Sequence, residues 1–210
     1  MMERVLSDDS VQVYRANLLV DESAVTHYSA WLSSDESDRA CQFGSEVLRR
    51  QFVVRRGMLR ELLSRRLGCT PGSIRFEYTR LGKPLVSDCA LQFSLDFSGD
   101  EAVFAFSIVE SVGVDIEKVD ICFSFESLLR EHFVQEEIAA IGGLPISFHR
   151  HWTRKEACAK ALGVGLTQPL SNYNVTGAPE SWIDAAPNLK VRDLCMGPGV
   201  LAAVALTSEP

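Results

Sequence analysis

The sequence has no hydrophobic run of the roughly 18 residues that a membrane-spanning helix requires. Its first ten residues carry Glu, Arg and Asp side chains instead of the apolar core of a signal peptide. These absences predict a cytoplasmic protein that does not act on a membrane. The apolar content of 46% and the charged content of 23% are typical of a folded globular protein and argue against disorder.

Several short motifs are also missing. The chain has no G-x-G-x-x-G segment, no P-loop and no G-x-S-x-G elbow, so dinucleotide binding and triad hydrolysis have no sequence support. The six cysteines form no C-x-x-C pair, and no histidine stands at a zinc-finger spacing from them. We therefore expect reduced thiols and no structural zinc site.

The net charge of −7 conceals two blocks of opposite sign. Residues 39–83 hold eleven Lys or Arg against three Asp or Glu, whereas residues 88–137 hold twelve Asp or Glu against two Lys or Arg. A basic region suits an anionic ligand and an acidic region suits a metal ion. Two solvated faces would also account for the blocks. The overall acidity argues against a nucleic-acid partner.

The hydrophobic pattern changes between helical and strand periodicity several times along the chain. The clearest segment is 46–67, where apolar residues recur at helical spacing before Gly68 ends the helix. Each half reads as helices with paired strands, which predicts an α+β fold of two similar lobes, residues 1–111 and 112–210. The other predicted helices are a short one opening at 34 and those at 124–130, 135–141 and 147–162; the predicted strands are 11–20, 74–78, a strand starting at 93, 102–109, 112–116, 173–175, 189–191 and 200–206.

The predicted strand at 112–116 continues into a pair of acids. Side chains alternate along a strand, so Asp115 and Glu117 lie on one face and the apolar residues lie on the other. Two carboxylates so close repel each other unless a cation or a proton lies between them. Mg²⁺, which prefers oxygen ligands, would fit. The alternative is a half-exposed strand with two solvated acids.

A second polar set lies on the predicted helix at 147–162. Trp152, Glu156 and Lys160 recur every four residues and share one side of the helix. This arrangement offers a third carboxylate and a lysine. The alternative is a surface Glu–Lys pair of little consequence, worth about 0.2–0.5 kcal/mol.

Further cations stand in the basic block. Lys83 occupies a Gly-Lys-Pro turn, where a lysine can reach a phosphate as a point charge, although most such lysines are simply solvated. The predicted helix 46–67 carries arginines, one or two of which could grip a phosphate with paired N–H donors. These arginines include Arg49, Arg50, Arg55, Arg56 and Arg60.

Taken in order, these segments resemble the 4′-phosphopantetheinyl transferase family, in particular its larger, monomeric, surfactin-type branch. The resemblance covers roughly residues 35 to 175, and the ordered set is more specific than any one motif. The matching motifs are Arg56-Gly57-Met58-Leu59-Arg60, Gly82-Lys83-Pro84, Phe93-Ser94-Leu95 with Ser98-Gly99-Asp100, Gly113 to Glu117, Trp152 to Lys160, and Gly163-x-Gly165-Leu166 followed by Pro169-Leu170.

The resemblance implies two lobes related by a pseudo-twofold axis, with coenzyme A bound between them in a monomer. It implies that a serine of an apo acyl or peptidyl carrier protein attacks the β-phosphate of coenzyme A, so that phosphopantetheine is transferred and adenosine 3′,5′-bisphosphate leaves. The matching positions imply these roles: Asp115, Glu117 and Glu156 hold Mg²⁺, Glu156 helps to deprotonate the serine, Lys160 neutralises or protonates the departing phosphate, and Lys83, Arg56 and Lys155 contact the nucleotide end.

The chain departs from the family pattern at one place. Family members usually read Ser-His where this chain has Asp96-Phe97. Phe97 cannot donate a hydrogen bond to a phosphate, and Asp96 would repel one unless it points away or pairs with one of the nearby arginines. The resemblance therefore leaves an alternative, a non-catalytic homologue that binds coenzyme A or a carrier protein. A further alternative is a plain α+β interaction domain, but the ordered motifs would then be a coincidence.

Overall fold

The computed structural model describes residues 2–165 and 169–208, so Leu166 of the motif above lies outside the described residues. The fold combines helices with antiparallel sheets, as predicted. The strands are β1 (Met2–Ser7), β2 (Gln12–Asn17), β3 (Phe76–Tyr78), β4 (Pro84–Val86), β5 (Gln92–Ser98), β6 (Glu101–Ser107), β7 (Ser111–Lys118), β8 (Ile183–Ala186), β9 (Leu189–Leu194) and β10 (Val200–Thr207). The helices are α1 (Glu22–Ser29), α2 (Ser34–Cys41), α3 (Glu46–Leu67), α4 (Glu126–His132), α5 (Gln135–Ile141) and α6 (Pro145–Leu162), with 3₁₀ turns at Pro71–Ser73 and Leu170–Asn172.

Within the described residues, the strands form two four-stranded sheets and one two-stranded ribbon. The first sheet has the order β1-β2-β6-β5 and the second has the order β7-β10-β9-β8, while β3 pairs with β4. The first sheet thus uses strands that precede residue 108 and the second uses strands that follow residue 110. No helix of the described chain is both long and apolar enough to cross a membrane.

Most predicted elements are present, but three strands and one helix were missed and one predicted strand is wrong. Helices α3 and α5 have the predicted bounds, whereas β1, α1, β4 and β8 were not predicted. The segment 173–175 is not a strand: Tyr173 and Val175 are buried, but the backbone around them is a loop. Alternating burial in a loop therefore imitated the period-two pattern of a strand.

Helix α3 packs on the first sheet. Leu59 and Leu63 are fully buried in one hydrophobic core with Phe93 of β5 and Phe104 of β6. The helix ends where Gly68 adopts a left-handed conformation with φ of 64°, which glycine reaches at little cost. The apolar side chains of this core hold α3 against the first sheet.

Helix α6 lies unusually close to β7. A Cβ atom added to Gly113 of β7 would stand 2.1 Å from the carbonyl oxygen of Ala157 and 2.3 Å from the amide nitrogen of Ala161. Only glycine at this strand position, facing small residues on the helix, permits the approach. It brings Glu156 and Lys160 of α6 next to the acids of β7.

The two sheets are joined where β5 meets β7. Side-chain oxygens of Ser94, Asp96 and Ser98 accept hydrogen bonds from the backbone N–H groups of Val114, Ile116 and Lys118, each at 3.1 Å. These side chains replace the backbone carbonyls that would pair two neighbouring strands. A hydrophobic cluster with members from both sheets, including Val103 and Val204, lies beside this seam. The seam therefore brings Asp96 to the acidic strand.

Candidate active site

Lys160 lies among three carboxylates from three elements. Its Nζ atom is 2.5 Å from Oδ1 of Asp115, 3.1 Å from Oδ2 of Asp96 and 3.9 Å from Oε2 of Glu156. Burial by itself would lower the pKa of Lys160, but the charges of Asp115 and Asp96 raise it above its ordinary value. Lys160 is therefore a cation at neutral pH, and its side chain is 29% exposed.

Asp115 is the most deeply buried acid of this group. It is 1% exposed, and its Oδ2 atom has no hydrogen-bond partner among the described residues. Burial raises the pKa of Asp115 well above its usual range, with further increases from Asp96 and Glu156, although Lys160 opposes the shift. A buried carboxylate oxygen without a partner is costly, so this atom is poised to receive a cation or a donor.

Glu117 and Glu156 complete the acidic side of the site. Burial raises the pKa of both, and each is raised further by neighbouring carboxylates: Glu156 and Asp96 act on Glu117, and Asp96 acts on Glu156. Glu117 accepts a hydrogen bond from the Ser98 hydroxyl at 3.4 Å. Four carboxylates therefore influence one another around a single ammonium group.

Three of these acids, Asp115, Glu117 and Glu156, were predicted to hold Mg²⁺. Among the described residues, no group of three or more His, Cys, Asp or Glu side chains is already arranged around a metal position. The donor set nevertheless fits such an ion, because Asp115 offers a free buried oxygen and Glu117 and Glu156 offer further oxygens nearby. Hard oxygen ligands and excess negative charge are what Mg²⁺ requires.

A pocket of about 230 Å³ lies beside Lys160. Residues from both halves of the chain line it, among them Lys83, Ser94, Lys160 and Gly163. The ammonium of Lys83 donates to the Ser111 hydroxyl at 2.9 Å and to backbone carbonyls at 3.1 and 3.2 Å. Burial lowers the pKa of Lys83 to about 8. The pocket thus has two cations in its wall, one held by carboxylates and one by neutral oxygens.

Comparison with known proteins identifies the family of this site. A sequence profile of the 4′-phosphopantetheinyl transferase superfamily matches residues 111–192, the segment that carries Asp115, Glu117, Glu156 and Lys160. The 4′-phosphopantetheinyl transferase HetI of Nostoc sp. is 33% identical over 212 residues, which cover 96% of this chain and 89% of HetI. The chain belongs to the 4′-phosphopantetheinyl transferase superfamily.

Two other relatives extend this similarity. A phosphopantetheinyl transferase of Thraustochytrium sp. is 30% identical over 173 residues, which are 73% of this chain and 60% of that protein. An L-aminoadipate-semialdehyde dehydrogenase-phosphopantetheinyl transferase of Mus musculus is 28% identical over 152 residues, 64% of this chain and 49% of that protein. The present transferase therefore spans most of HetI but only part of these longer relatives.

Lys155, which was predicted to contact the nucleotide end of coenzyme A, does not line the pocket beside Lys160. Lys155 of the transferase is fully buried, 2.9 Å from the equally buried Glu137, and it donates to the carbonyls of Leu170 and Tyr173 at 2.7 and 2.8 Å. Its ammonium has no exposed surface, so this geometry does not support the predicted contact with a nucleotide. The helical pattern was the available signal, because Lys155 shares a face with the buried Cys158 three residues later and not with Lys160.

Arg56 of α3 contacts side chains of α2 and β3. Its Nε atom donates to Glu36 at 2.5 Å and one Nη atom donates to the Tyr78 hydroxyl at 2.6 Å. Its guanidinium also lies 4.4 Å from the centre of the Phe76 ring. These contacts hold the side chain in place, and among the described residues they leave its second Nη group without a hydrogen bond.

Asp96 is the site residue that the sequence interpretation did not assign. It was expected to point away or to pair with an arginine, whereas its carboxylate pairs with Lys160 and accepts a hydrogen bond from the Ile116 amide. The alternation of Ser94, Asp96 and Ser98 along β5 was the available signal, since it places three polar side chains on one face. What those side chains face is a tertiary property.

Proposed function

We propose that this transferase moves 4′-phosphopantetheine from coenzyme A to a serine hydroxyl of an apo acyl or peptidyl carrier protein, releasing adenosine 3′,5′-bisphosphate. The observation that carries the proposal is the cluster of Lys160 with Asp96, Asp115 and Glu156, which lies beside a pocket lined from both halves of the chain. Transfer at phosphorus depends on positioning and charge neutralisation, and this cluster supplies both signs of charge.

Coenzyme A would bind between two lobes, residues 1–111 and 112–210, related by a pseudo-twofold axis. The separate sheets and the pocket at their junction support this arrangement. The free Nη group of Arg56 would donate to the nucleotide end, and Lys83 would contribute positive charge in the pocket wall, because its own donors already serve three protein oxygens. One chain would supply both sides of the cleft, so we propose a monomer of the surfactin-type branch.

Asp115, Glu117 and Glu156 would hold Mg²⁺. The orphaned Oδ2 atom of Asp115 supports this assignment, as does the raised pKa of all three acids, which reflects their burial and the crowding of negative charge. When bound, Mg²⁺ supplies neutralisation of the diphosphate charge.

The chain's own residues would manage the protons of the reaction. Glu156, whose pKa burial raises, would accept the serine proton as the serine oxygen bonds to the β-phosphorus. The bond from that phosphorus to the oxygen bridging the two phosphates breaks, and its electron pair leaves with adenosine 3′,5′-bisphosphate. Lys160 is protonated and would neutralise or protonate this oxygen. The proton taken by Glu156 is then released to solvent.

A transfer assay tests this proposal. Fluorescent coenzyme A is incubated with the protein and a panel of apo carrier proteins, with Mg²⁺ or with a chelator. Labelling of a carrier serine that requires Mg²⁺ is the expected result. Coenzyme A binding by calorimetry without labelling of any carrier would instead indicate the non-catalytic homologue that Asp96-Phe97 suggests. Absence of both would refute the proposal.

A further inference from the structure

Phe97, which stands where family members usually have a histidine, contacts an arginine of the facing helix α3. The guanidinium of Arg55 on α3 lies 3.6 Å from the centre of the Phe97 ring. At this distance a guanidinium and an aromatic face attract each other directly. Phe97 is 39% exposed and Arg55 is half-buried, so the pair lies at the surface and not in the core.

Arg55 differs from its neighbours on α3 in what it contacts. Arg56 and Arg60 both pair with Glu36, and Arg50 pairs with Glu22. Arg55 forms no ion pair and no hydrogen bond within residues 2–165 and 169–208, although the ring fixes its position. A held arginine with unused N–H donors is what recognition of a phosphate requires.

The electrostatic surroundings of Arg55 point to an anion. Among the described residues, the carboxylate of Asp96 raises the pKa of Arg55, whereas the guanidinium groups of Arg56 and Arg39 lower it. Burial lowers the pKa of Arg55 to about 10, so it stays charged at neutral pH. Because Asp96 is also 3.1 Å from Lys160, Arg55 borders the reactive cluster.

We infer that Arg55, held on the ring of Phe97, binds the diphosphate of coenzyme A in place of the missing histidine. This inference rests on the proposed function. Phe97 is then a positioning residue: its flat face orients the guanidinium, whose donors do the binding. We favour the diphosphate over the 3′-phosphate because Arg55 lies on Phe97, next to Asp96, and Asp96 pairs with Lys160. In the proposed reaction Lys160 lies next to the diphosphate bond that breaks.

The test compares Arg55→Gln with Arg65→Gln. Arg65 is on the same helix, its side chain is 65% exposed, and within the described part of the chain its ion-pair partner is Glu61, so the control removes the same charge at a distance from the site. We expect Arg55→Gln to weaken coenzyme A binding by calorimetry about 10- to 100-fold and to raise KM similarly, with kcat less affected. The control is expected to bind like the wild type. Equal affinity of both variants and the wild type would overturn the inference.

Phe97→Leu tests the positioning role, since it keeps an apolar side chain and removes the aromatic face. We expect an affinity loss of about 3-fold in the wild-type background and none when Arg55→Gln is already present. Equal losses in both backgrounds would show that Phe97 acts independently of Arg55 and would overturn its role.

Binding of 3′-dephospho-coenzyme A shows which phosphate group Arg55 contacts, because this ligand keeps the diphosphate and lacks the 3′-phosphate. The affinity loss caused by Arg55→Gln should be the same with this ligand as with coenzyme A. A loss that vanishes with 3′-dephospho-coenzyme A would overturn the diphosphate assignment in favour of the 3′-phosphate. If the wild type itself binds no coenzyme A, the proposed function fails and this inference fails with it.

Discussion

Gly113→Ala tests the close contact between β7 and α6 on which the site depends. The new Cβ would stand 2.1 Å from the Ala157 oxygen and 2.3 Å from the Ala161 nitrogen, both backbone atoms of α6 that cannot rotate away. Restoring a contact of about 3.4 Å requires the helix to move by roughly 1.3 Å. Overpacking of this kind costs typically 1–3 kcal/mol, and with only backbone to displace we expect a value of about 3 kcal/mol.

The same movement carries Glu156 and Lys160 away from the acids of β7. A misplacement of about 1 Å can reduce turnover by about 100-fold, so we expect kcat to fall by about that factor in the folded variant. Stability is measured by urea unfolding followed by circular dichroism, and the expected loss corresponds to a decrease of about 6–12 °C in Tm.

Gly44→Ala is the matched control. Its Cβ would have nothing within 4 Å, so we expect unchanged activity and unchanged or slightly higher stability. If Gly113→Ala unfolded at the same urea concentration as the wild type and turned over at the same rate, the contact would not be the constraint described here.

Three further predictions concern individual charges. Glu117→Ala should abolish carrier labelling while circular dichroism shows a native fold, whereas the exposed Glu131→Ala should label normally; wild-type turnover by Glu117→Ala would contradict the proposed mechanism. Burial lowers the pKa of Lys83 to about 8, so between pH 8 and about 10.4 the unfolded chain binds more protons than the folded chain. The free energy of unfolding of the wild type, measured in urea, should therefore rise with pH in this range relative to that of Lys83→Met. If the difference in free energy of unfolding between the wild type and Lys83→Met did not change with pH, Lys83 would not be buried as described. Lys155→Met leaves Glu137 buried without its cation and should cost about 3–5 kcal/mol of stability with no change in the KM for coenzyme A; a raised KM at normal stability would instead restore the predicted nucleotide contact.

Much of the fold could be predicted because local signals were strong. The long apolar periodicity of α3 and the glycines that follow α3 and α6 mark those helices, and alternation marks β7. Strand β1 was missed because its apolar residues do not alternate with polar ones, its register is irregular between Arg4 and Leu6, and it lies at the edge of its sheet. The false strand at 173–175 shows the converse, since burial by tertiary contacts produced an alternating pattern without a ladder.

The sequence by itself determined which residue types share a face: the acids of β7 on one side of the strand, and Glu156 with Lys160 on one side of α6. Only the tertiary structure decided which charges meet. Lys160 and Asp115 are 45 residues apart, Asp96 reaches Lys160 from the seam between two sheets, and Arg55 meets Phe97 across a helix–sheet contact. Periodicity assigns a side chain to a face, but the partner of a buried charge depends on which surfaces pack together, and that is fixed by the whole core.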